Sequence, residues 1–521
     1  MKKIHYISFF ILTLIVAIIP FVCNIYYVTP DDPRYIGLVS GAYTGTPLKE
    51  LVYIGTLLGG FEAWLYTLLP NYEWYSIIYY SCSLLSFCSL LYCSFHNNMH
   101  RLLKIAVITL LTILQIHLSL KPQFTTLATQ LSFSSLVVFL NADKRRMHYL
   151  LCIFLFFLAT QMRIAAAFLP YMVACPLLLR DFNHRNRAFW RKGIWLVGLL
   201  VVACITFSFD RINYKNDEWV NFNVTNDARA YIADNPLAET IASEITNPTD
   251  KIAFDLFYQY RIFDLNILTP EKIKQYQQIC ADRAVETIRY NIKQYLQIYW
   301  KMGLWIVMLI GIWLMYELTR QKQWWILFLY ITAVLLFVTA NLQMMSFSFY
   351  KERVMFGTFI SLLFITSYLC YSYARHANII ILTISLLVTI QYLPRDYKEI
   401  CQSTSEQTVI KETENLILQS GYNKVMMTVP TCLTPEAFQT SQSPIYTHTI
   451  IQGWMHFYPK SNLKYQPFTA FTEGLPLLVN KKSIEQIDMI QKLIYMHYKL
   501  RTHTKIINES EHYLLIKIVK N

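Results

Sequence analysis

Residues 29–50, TPDDPRYIGLVSGAYTGTPLKE, follow the first long apolar stretch of the chain, residues 4–28. About 20 apolar residues suffice for a helix to cross a membrane, so Asp31 and Asp32 stand where the chain would leave the bilayer. Arg34 comes next, and then a glycine-punctuated turn. Charged groups at a membrane surface are costly to desolvate unless they face water or a polar cavity. The stretch therefore predicts either a catalytic carboxylate at the mouth of a cavity or an ordinary polar loop.

The composition indicates a polytopic membrane protein. The chain has 521 residues, of which 55% are hydrophobic and 15% are charged, and it contains several apolar runs close to membrane-spanning length. The formal net charge is +13, but much of the excess lies in short loops between apolar runs, as expected when basic loops stay in the cytoplasm. The charge therefore indicates topology, and we predict no nucleic-acid partner.

The apolar runs predict about eleven transmembrane helices. Basic residues beside them place the N-terminus in the cytoplasm, together with the basic loop at residues 180–192. Two of the runs are short for a full crossing, so we predict a helical hairpin with Arg163 near its outer tip. The predicted crossings are residues 4–28, 74–95, 105–120, 127–140, 149–159, 165–179, 194–209, 305–318, 325–340, 354–373 and 379–393.

The chain divides into two predicted parts. Residues 1–393 form a transmembrane module with a first outer loop at residues 29–73, in which residues 51–69 lie along the membrane surface, and a long outer loop at residues 210–297. Residues 394–521 form a small extracytoplasmic domain, α/β or α+β, which places the C-terminus outside. Helical patterns occur at residues 270–299, 405–419 and 483–498, and strand patterns at residues 424–429, 450–454, 475–479 and, as a hairpin, 504–519.

Most of the eleven cysteines lie in apolar runs, where a thiol packs as a small hydrophobic group. Cys401 and Cys432 fall in a polar segment and can form a disulfide if that segment is extracytoplasmic. No residue spacing is typical of metal ligands, so we predict no metal-binding residues. A divalent cation that assists the reaction is left open.

Charged residues from four predicted outer loops accompany the aspartate pair. A carboxylate near a hydroxyl can act as a general base, and cations beside it can hold a phosphate leaving group. Each cation taken alone is more simply a solvated or snorkelling loop charge, so the prediction depends on the set coming together. Its members are Asp31, Asp32, Arg34, Lys121, Arg163, Lys351, Glu352 and Arg353.

The first loop resembles that of the GT-C glycosyltransferases, among them the lipid A aminoarabinose transferases and the protein O-mannosyltransferases. The likeness is carried by the Asp31-Asp32 pair, by the surface stretch before the second crossing and by the short hairpin at residues 160–163. It is greater to uncharacterised bacterial polytopic proteins with a DD…SGxYTGxP signature, here residues 31–32 and 40–47. In the aminoarabinose and mannosyl branches a tyrosine or histidine closely follows the acidic pair, whereas this chain has Pro33, Arg34 and Tyr35.

The resemblance implies an enzyme of the bacterial cytoplasmic membrane that transfers a sugar, with inversion, from a polyprenyl-phosphate donor to a glycan, lipid or protein acceptor. Asp31 or Asp32 would be the general base on the outer side. The donor phosphate would bind Arg163, Arg353, Lys121 and Lys351, and the supporting residues would be Arg34, Tyr35, Tyr43 and Glu62.

Two other functions fit parts of the sequence. An O-antigen ligase or polymerase also combines many spans with a long outer loop. It predicts catalysis by arginine and histidine of that loop instead of by the first-loop aspartates, so that Arg229 or Arg261 is essential. A transporter or flippase of lipid-linked sugars predicts charges at mid-span and repeat symmetry, of which the sequence shows little.

Overall fold

The computed structural model describes residues 2–97, 99–141, 146–180, 187–262, 264–301, 303–346, 352–373, 407–427, 436–451, 453–460 and 467–521, together with residues 387, 394 and 398. Apart from residue 387, the last predicted crossing lies outside these residues, as do Lys351 and the predicted disulfide between Cys401 and Cys432.

Helices dominate the chain up to residue 373. The first loop contributes the short helices α2 and α3, and the long outer loop contributes α9 to α13. The bounds are α1 Lys2–Val22, α2 Asp31–Val39, α3 Thr56–Leu68, α4 Trp74–His96, α5 Arg101–Leu120, α6 Phe124–Leu140, α7 Arg146–Leu178, α8 Arg187–Asn213, α9 Asp217–Ala233, α10 Ala238–Glu244, α11 Pro248–Tyr260, α12 Pro270–Asp282, α13 Ala284–Lys301, α14 Leu304–Arg320, α15 Trp324–Met345 and α16 Glu352–Tyr373.

Seven of the described helices are long and apolar enough to cross a membrane, and the pair Ala284–Trp300 and Leu304–Arg320, bent by 80°, would make an eighth. Helix α6 is apolar but shorter. The chain is therefore a polytopic helical membrane protein, while the number of eleven crossings and the orientation of the termini stay predictions. The seven are His5–Val22, Trp74–His96, Arg101–Leu120, Arg146–Leu178, Lys192–Asn213, Trp324–Met345 and Arg353–Tyr373.

Helix α7 folds back on itself at Arg163. The backbone of Arg163 is extended, with φ −168° and ψ 107°. The ring centroids of Phe156 and Tyr171 lie 5.2 Å apart, whereas a straight helix, which rises 1.5 Å per residue, would separate these residues by about 22 Å. The two arms therefore pack side by side, and the predicted hairpin with Arg163 at its bend is confirmed.

Helix α6 occupies the centre of the bundle and is buried along nearly its whole length. Its Gln130 amide donates to Oε1 of Gln115 in α5 over 2.7 Å, and Gln115 in turn donates to Ser83 of α4 over 2.8 Å. Apolar packing alone discriminates poorly between helices in lipid, so such hydrogen bonds between helices help to fix the register. The network therefore sets the height of Phe124 and Thr125, at the start of α6, relative to the first loop.

The long outer loop is helical, with one correction to the prediction. Thr269 caps α12 by accepting a 3.4 Å hydrogen bond from the Lys272 N–H, as predicted. The helix predicted over residues 270–299 is, however, divided into α12 and α13 at Arg283. The break directs the Arg283 guanidinium to both oxygens of Glu244 in α10, at 2.8 and 2.6 Å, so a tertiary ion pair accompanies the interruption of the helical pattern.

The C-terminal segment forms a five-stranded sheet with the order β2-β1-β3-β5-β4. Strands β2, β1 and β3 are parallel, and β3, β5 and β4 are antiparallel. The predicted strands and the final hairpin are present, although an extracytoplasmic location of this segment stays a prediction. The elements are a helix at residues 407–419 (α17), β1 Val425–Met427, α18 Pro444–Thr447, β2 Thr449–Ile451, α19 Pro467–Thr472, β3 Leu477–Asn480, α20 Glu485–Tyr498, β4 Thr502–Glu509 and β5 Tyr513–Lys520.

This segment packs directly on the first loop. The Ala437 N–H donates to the Ile25 carbonyl over 2.7 Å, and the hydroxyl of Tyr458 donates to the Glu50 carbonyl. Lys460 pairs with the buried carboxylate of Glu50 at 2.6 Å. The two ends of the chain therefore meet at residues 25–50, where the candidate site lies.

Candidate active site

Helix α2 carries the aspartate pair in its first turn, where the helix dipole stabilises negative charge. The glycine-rich turn that follows ends the helix: Gly41 has φ +83°, and its carbonyl accepts from the N–H groups of Thr44 and Gly45. The ring of Tyr43 folds back over Gly37, where a Cβ would lie 2.1 Å from the ring. The SGxYTGxP pattern is therefore explained by the shape of this turn, which holds α2 in place.

Asp31 is the aspartate that faces open space. Its side chain is 22% exposed, and its Oδ1 accepts hydrogen bonds from Arg34 Nη1 at 3.1 Å and from Trp454 Nε1 at 3.2 Å. Burial raises the pKa of Asp31, but Arg34, Arg353 and the Trp454 hydrogen bond outweigh it, so the pKa lies below its usual value. Asp31 is therefore ionised at neutral pH, and among the described residues no hydrogen bond engages its Oδ2.

Asp32 has a different environment. It is completely buried and accepts hydrogen bonds from the Tyr75 hydroxyl at 2.9 Å, the Phe124 N–H at 3.2 Å and the Thr29 hydroxyl at 3.2 Å. Burial, together with the charge of Asp31, raises the pKa of Asp32 to about 7 against the effect of these hydrogen bonds. Asp32 joins α2 to α4 and α6 and has no access to the space that Asp31 faces.

Arg163 reaches the site from the bend of α7. Its Nη1 donates to Thr125 Oγ1 over 2.6 Å, and its guanidinium lies over the rings of Tyr53 and Phe124, 5.3 and 5.4 Å from their centroids. The bend itself is tied to the first loop, because the Gln161 carbonyl accepts from the Gly55 N–H over 2.6 Å. Neutral groups hold the guanidinium, and no described carboxylate forms an ion pair with it.

One cavity of about 440 Å³ is lined by both Asp31 and Arg163. Five arginines and three aspartates line it, contributed by the first loop, the α7 bend, the start of α16 and the long outer loop, and the C-terminal segment adds Gly453 and Trp454. Asp31, Arg163 and Arg353, which the sequence predicts to converge, all line this cavity. The charged residues of the wall are Asp31, Asp227, Asp234, Arg34, Arg163, Arg229, Arg261 and Arg353, and the others include Thr29, Pro30, Tyr53, Tyr231, Gly453 and Trp454.

Gly453 and Trp454 are wall residues that sequence reasoning missed. They follow β2 in the C-terminal segment, more than 400 positions from Asp31. Gly453 has φ +113°, and a Cβ there would lie 3.3 Å from Arg34 Nη2. The sequence predicts a strand over residues 450–454 that includes this Gly-Trp pair, and it gives no indication of which loop the pair contacts.

Several predicted site residues do not line the cavity. Tyr35 is buried behind it and packs edge-on against Phe124, and Tyr43 packs against α2. Asp32, Glu62 and Lys121 are also absent from the described wall, and Lys351 lies outside the described residues. Direct contact with a substrate in the cavity is therefore not expected of Asp32, Tyr35, Tyr43, Glu62 or Lys121 in this arrangement.

Glu62 of α3 and Glu73, directly before α4, are a second pair of buried carboxyls. Glu62 is 1% exposed, and Glu73 accepts a hydrogen bond from the Tyr66 hydroxyl. Burial raises the pKa of both carboxyls to about 8, and Glu73 adds to the effect on Glu62. The predicted interface position of Glu62 is thus replaced by a buried one, in which the carboxyl is protonated for much of the neutral range.

Within the described ranges, no group of three or more His, Cys, Asp or Glu side chains is arranged to hold a metal ion. The cations that line the cavity with Asp31 are its five arginines.

Comparisons with known proteins give one structural likeness. No protein-family model matches the chain, and no curated protein matches it. A solved structure described as "Crystal Structure of ArnT from Cupriavidus metallidurans bound to Undecaprenyl phosphate" aligns with 98% of this chain and 97% of that chain, at 12% identity and a TM-score of 0.44.

Proposed function

We propose that the chain is a membrane glycosyltransferase of GT-C type. It transfers a sugar from a polyprenyl-phosphate donor to a glycan, lipid or protein acceptor on the extracytoplasmic side, with Asp31 as general base. The observation that carries the proposal is one cavity in which an ionised carboxylate faces arginines from separate elements. Pre-positioned charges of both signs are what a reaction needs when a proton is removed at one atom and a phosphate departs at another.

An apolar groove of about 150 Å³ supports a lipid donor. It lies between α4, α5, α6 and α16, and its wall includes Thr129, Phe133, Phe356 and Ile360. Thr129 is one helical turn from Thr125, the partner of Arg163, and Phe356 is one turn from Arg353. Residues three or four apart share a helix face, so the groove begins about one helical turn from the groups that hold the proposed donor phosphate. The donor phosphate would bind Arg163 and Arg353, with the start of its polyprenyl chain in the groove.

The proposed reaction is a direct displacement. The acceptor hydroxyl attacks the anomeric carbon while the bond from that carbon to the phosphate oxygen breaks. The hydroxyl proton passes to Oδ2 of Asp31, because Oδ1 is occupied by Arg34 and Trp454. The bonding electron pair leaves with the polyprenyl phosphate, whose charge Arg163 and Arg353 neutralise. Attack from the face opposite the phosphate inverts the anomeric centre.

Replacing Asp31 by Asn tests the proposal in cells. We expect Asp31→Asn to abolish transfer and to cause one lipid-linked sugar to accumulate, which mass spectrometry of extracted lipids would identify. Asp32→Asn should act mainly through protein level, because Asp32 is buried away from the cavity. Asp250→Asn is the matched control, since Asp250 pairs with Lys272 at 2.8 Å outside the cavity. Unchanged surface glycans in the Asp31→Asn strain, at normal protein level, would refute the assignment.

A ligase-type or polymerase-type reaction is the second candidate, because Arg229 and Arg261 of the long outer loop line the same cavity. The two candidate reactions differ in which residues are essential for activity. If Asp31→Asn keeps activity while Arg229→Gln or Arg261→Gln abolishes it, the reaction depends on the arginines and this second candidate is favoured.

A further inference from the structure

The cavity has more cations than the proposed donor needs. Five arginines face three aspartates in its wall, so two positive charges are in excess before any substrate binds. A sugar linked to a polyprenyl monophosphate carries one negative charge on its phosphodiester, so one net positive charge remains in the cavity after this donor binds, and two arginines suffice to hold the phosphate. Arg163 and Arg353 supply that pair from the membrane helices, which leaves the arginines of the outer loop without a role.

Neutral acceptors hold two of these remaining arginines in place. Nε and Nη2 of Arg229 donate to Oδ1 of Asn226 over 3.1 and 3.0 Å, and Nη2 of Arg261 donates to the Ala233 carbonyl over 2.7 Å. Asp234 attracts both arginines. No ion pair within 4.0 Å involves either arginine in the described part of the chain, so both keep capacity to bind an anion.

Arg261 carries a second sign of an unfilled site. Its Nη1 is buried and has no hydrogen-bond partner in the described chain, and a buried unpaired charged donor is costly unless a ligand satisfies it. Arg261 also adopts a left-handed backbone, with φ +59° at the end of α11, which few residues other than glycine adopt without cost. The loop thus holds the guanidinium in the cavity wall at an energetic cost.

Tyr53 stands between the two pairs of arginines. The Arg163 guanidinium lies over its ring at 5.3 Å, while its hydroxyl accepts a 3.0 Å hydrogen bond from Asn226, the residue that holds Arg229. Arg163 and Arg353 come from the helical bundle, whereas Arg229 and Arg261 come from the outer loop. The cavity therefore offers anions two separate positions.

We propose that Arg229 and Arg261 form a second anion-binding subsite, which takes a phosphate or carboxylate group of a substrate other than the phosphate held by Arg163 and Arg353. The inference rests on the proposed function and narrows its substrates: either the donor is a diphosphate, or the sugar or acceptor that enters from the outer side is acidic.

Inorganic phosphate is a probe of the subsite that does not depend on the donor. The experiment uses the full-length protein in lipid nanodiscs. All variants also carry Arg163→Gln and Arg353→Gln, so that phosphate does not bind to Arg163 and Arg353. Phosphate affinity is measured from the rise in melting temperature, against chloride at equal ionic strength. Adding Arg229→Gln or Arg261→Gln should weaken phosphate binding by about tenfold or more, as expected for loss of a charge-assisted hydrogen bond. The lysine variants, which keep the charge, should lose less.

The control is Arg283→Gln, which removes an arginine of the same loop that is paired with Glu244 outside the cavity, and it should leave phosphate binding unchanged. Undecaprenyl phosphate and undecaprenyl diphosphate then distinguish the sources with otherwise unmodified protein. If the diphosphate binds more tightly and Arg229→Gln removes the advantage, the second anion belongs to the donor; if there is no advantage, it belongs to the sugar or acceptor. Phosphate binding that is insensitive to both Arg229 and Arg261 overturns the proposal, even where undecaprenyl phosphate still binds through Arg163 and Arg353.

Discussion

The indole N–H of Trp454 donates a 3.2 Å hydrogen bond to Oδ1 of Asp31, so residues 423 positions apart meet in the wall of one cavity. Arg34 donates to the same oxygen and lies beneath the same indole, 5.9 Å from the ring centroid. Asp31 is thus held from both ends of the chain. The C-terminal segment contributes to the site itself, and its removal should cost activity as well as stability.

Trp454→Phe should shift the acid limb of the pH–activity profile to higher pH. The indole hydrogen bond helps to lower the pKa of Asp31, so its loss raises that pKa and protonates the base at a higher pH. A hydrogen bond to a charged group contributes about 1.5–3 kcal/mol, which sets the upper bound of the loss in rate. Because the pKa of Asp31 lies below its ordinary value of 3.8, the test is sugar transfer by membranes measured from pH 3 to pH 7. A profile that falls uniformly with no shift would mean that Trp454 only packs against the wall.

Gly453→Ala should reduce activity more than stability. The new Cβ would lie 3.3 Å from Arg34 Nη2 and would require a backbone with φ +113°. Gly45→Ala is the matched control: Gly45 has φ +79°, but a Cβ there would meet nothing within 4 Å. Backbone strain should cost Gly45→Ala about 1 kcal/mol of stability, and Gly453→Ala more, because φ +113° with ψ −138° lies in a region that essentially only glycine adopts; activity is therefore compared at equal amounts of folded protein. Only Gly453→Ala should displace Arg34 and thereby slow transfer, and equal activity of the two variants would contradict this.

Glu62→Gln should stabilise the protein at high pH and have little effect at low pH. Burial raises the pKa of Glu62 from 4.5 to about 8, so the folded protein holds a proton that the unfolded chain releases. The stabilisation from this group is complete below about pH 4.5 and is lost as the pH rises towards 8. Glutamine resembles the protonated acid at every pH. Melting temperatures at pH 5 and pH 8.5 should therefore diverge from wild type only at the higher pH, whereas the exposed-site variant Glu286→Gln should follow wild type throughout.

The sequence predicts much of the local structure because local rules apply there. Apolar runs of membrane-spanning length mark the transmembrane helices. Two shorter runs on either side of Arg163 mark the hairpin, and runs of β-branched residues mark the C-terminal strands. The glycine-rich turn after α2 can also be predicted from the sequence. Its shape depends on Gly37, on Gly41 and on Tyr43, whose ring packs over Gly37.

Long-range placement is where sequence reasoning failed. Asp31 and Asp32 are adjacent and chemically identical, and only the packing of Tyr75 and Phe124 against α2 separates a buried carboxyl from an exposed one. Lys121 is outside the described cavity wall, whereas Arg163 is within it. The sequence could not distinguish the two, because charge and predicted side of the membrane do not specify which loops meet. The contact of Trp454 with Asp31 could not be predicted for the same reason. Such contacts depend on tertiary packing that no periodicity encodes.

Binding of undecaprenyl phosphate by the purified protein in nanodiscs tests most directly whether the cavity holds a polyprenyl-phosphate donor. Arg163→Gln and Arg353→Gln should each weaken binding about tenfold, because each removes a charged donor to the phosphate. Arg180→Gln should not, since Arg180 lies at the other end of the α7 hairpin and donates to the Tyr368 hydroxyl over 2.7 Å. Binding that is absent from the wild-type protein, or that is equally strong in all three variants, would contradict the account.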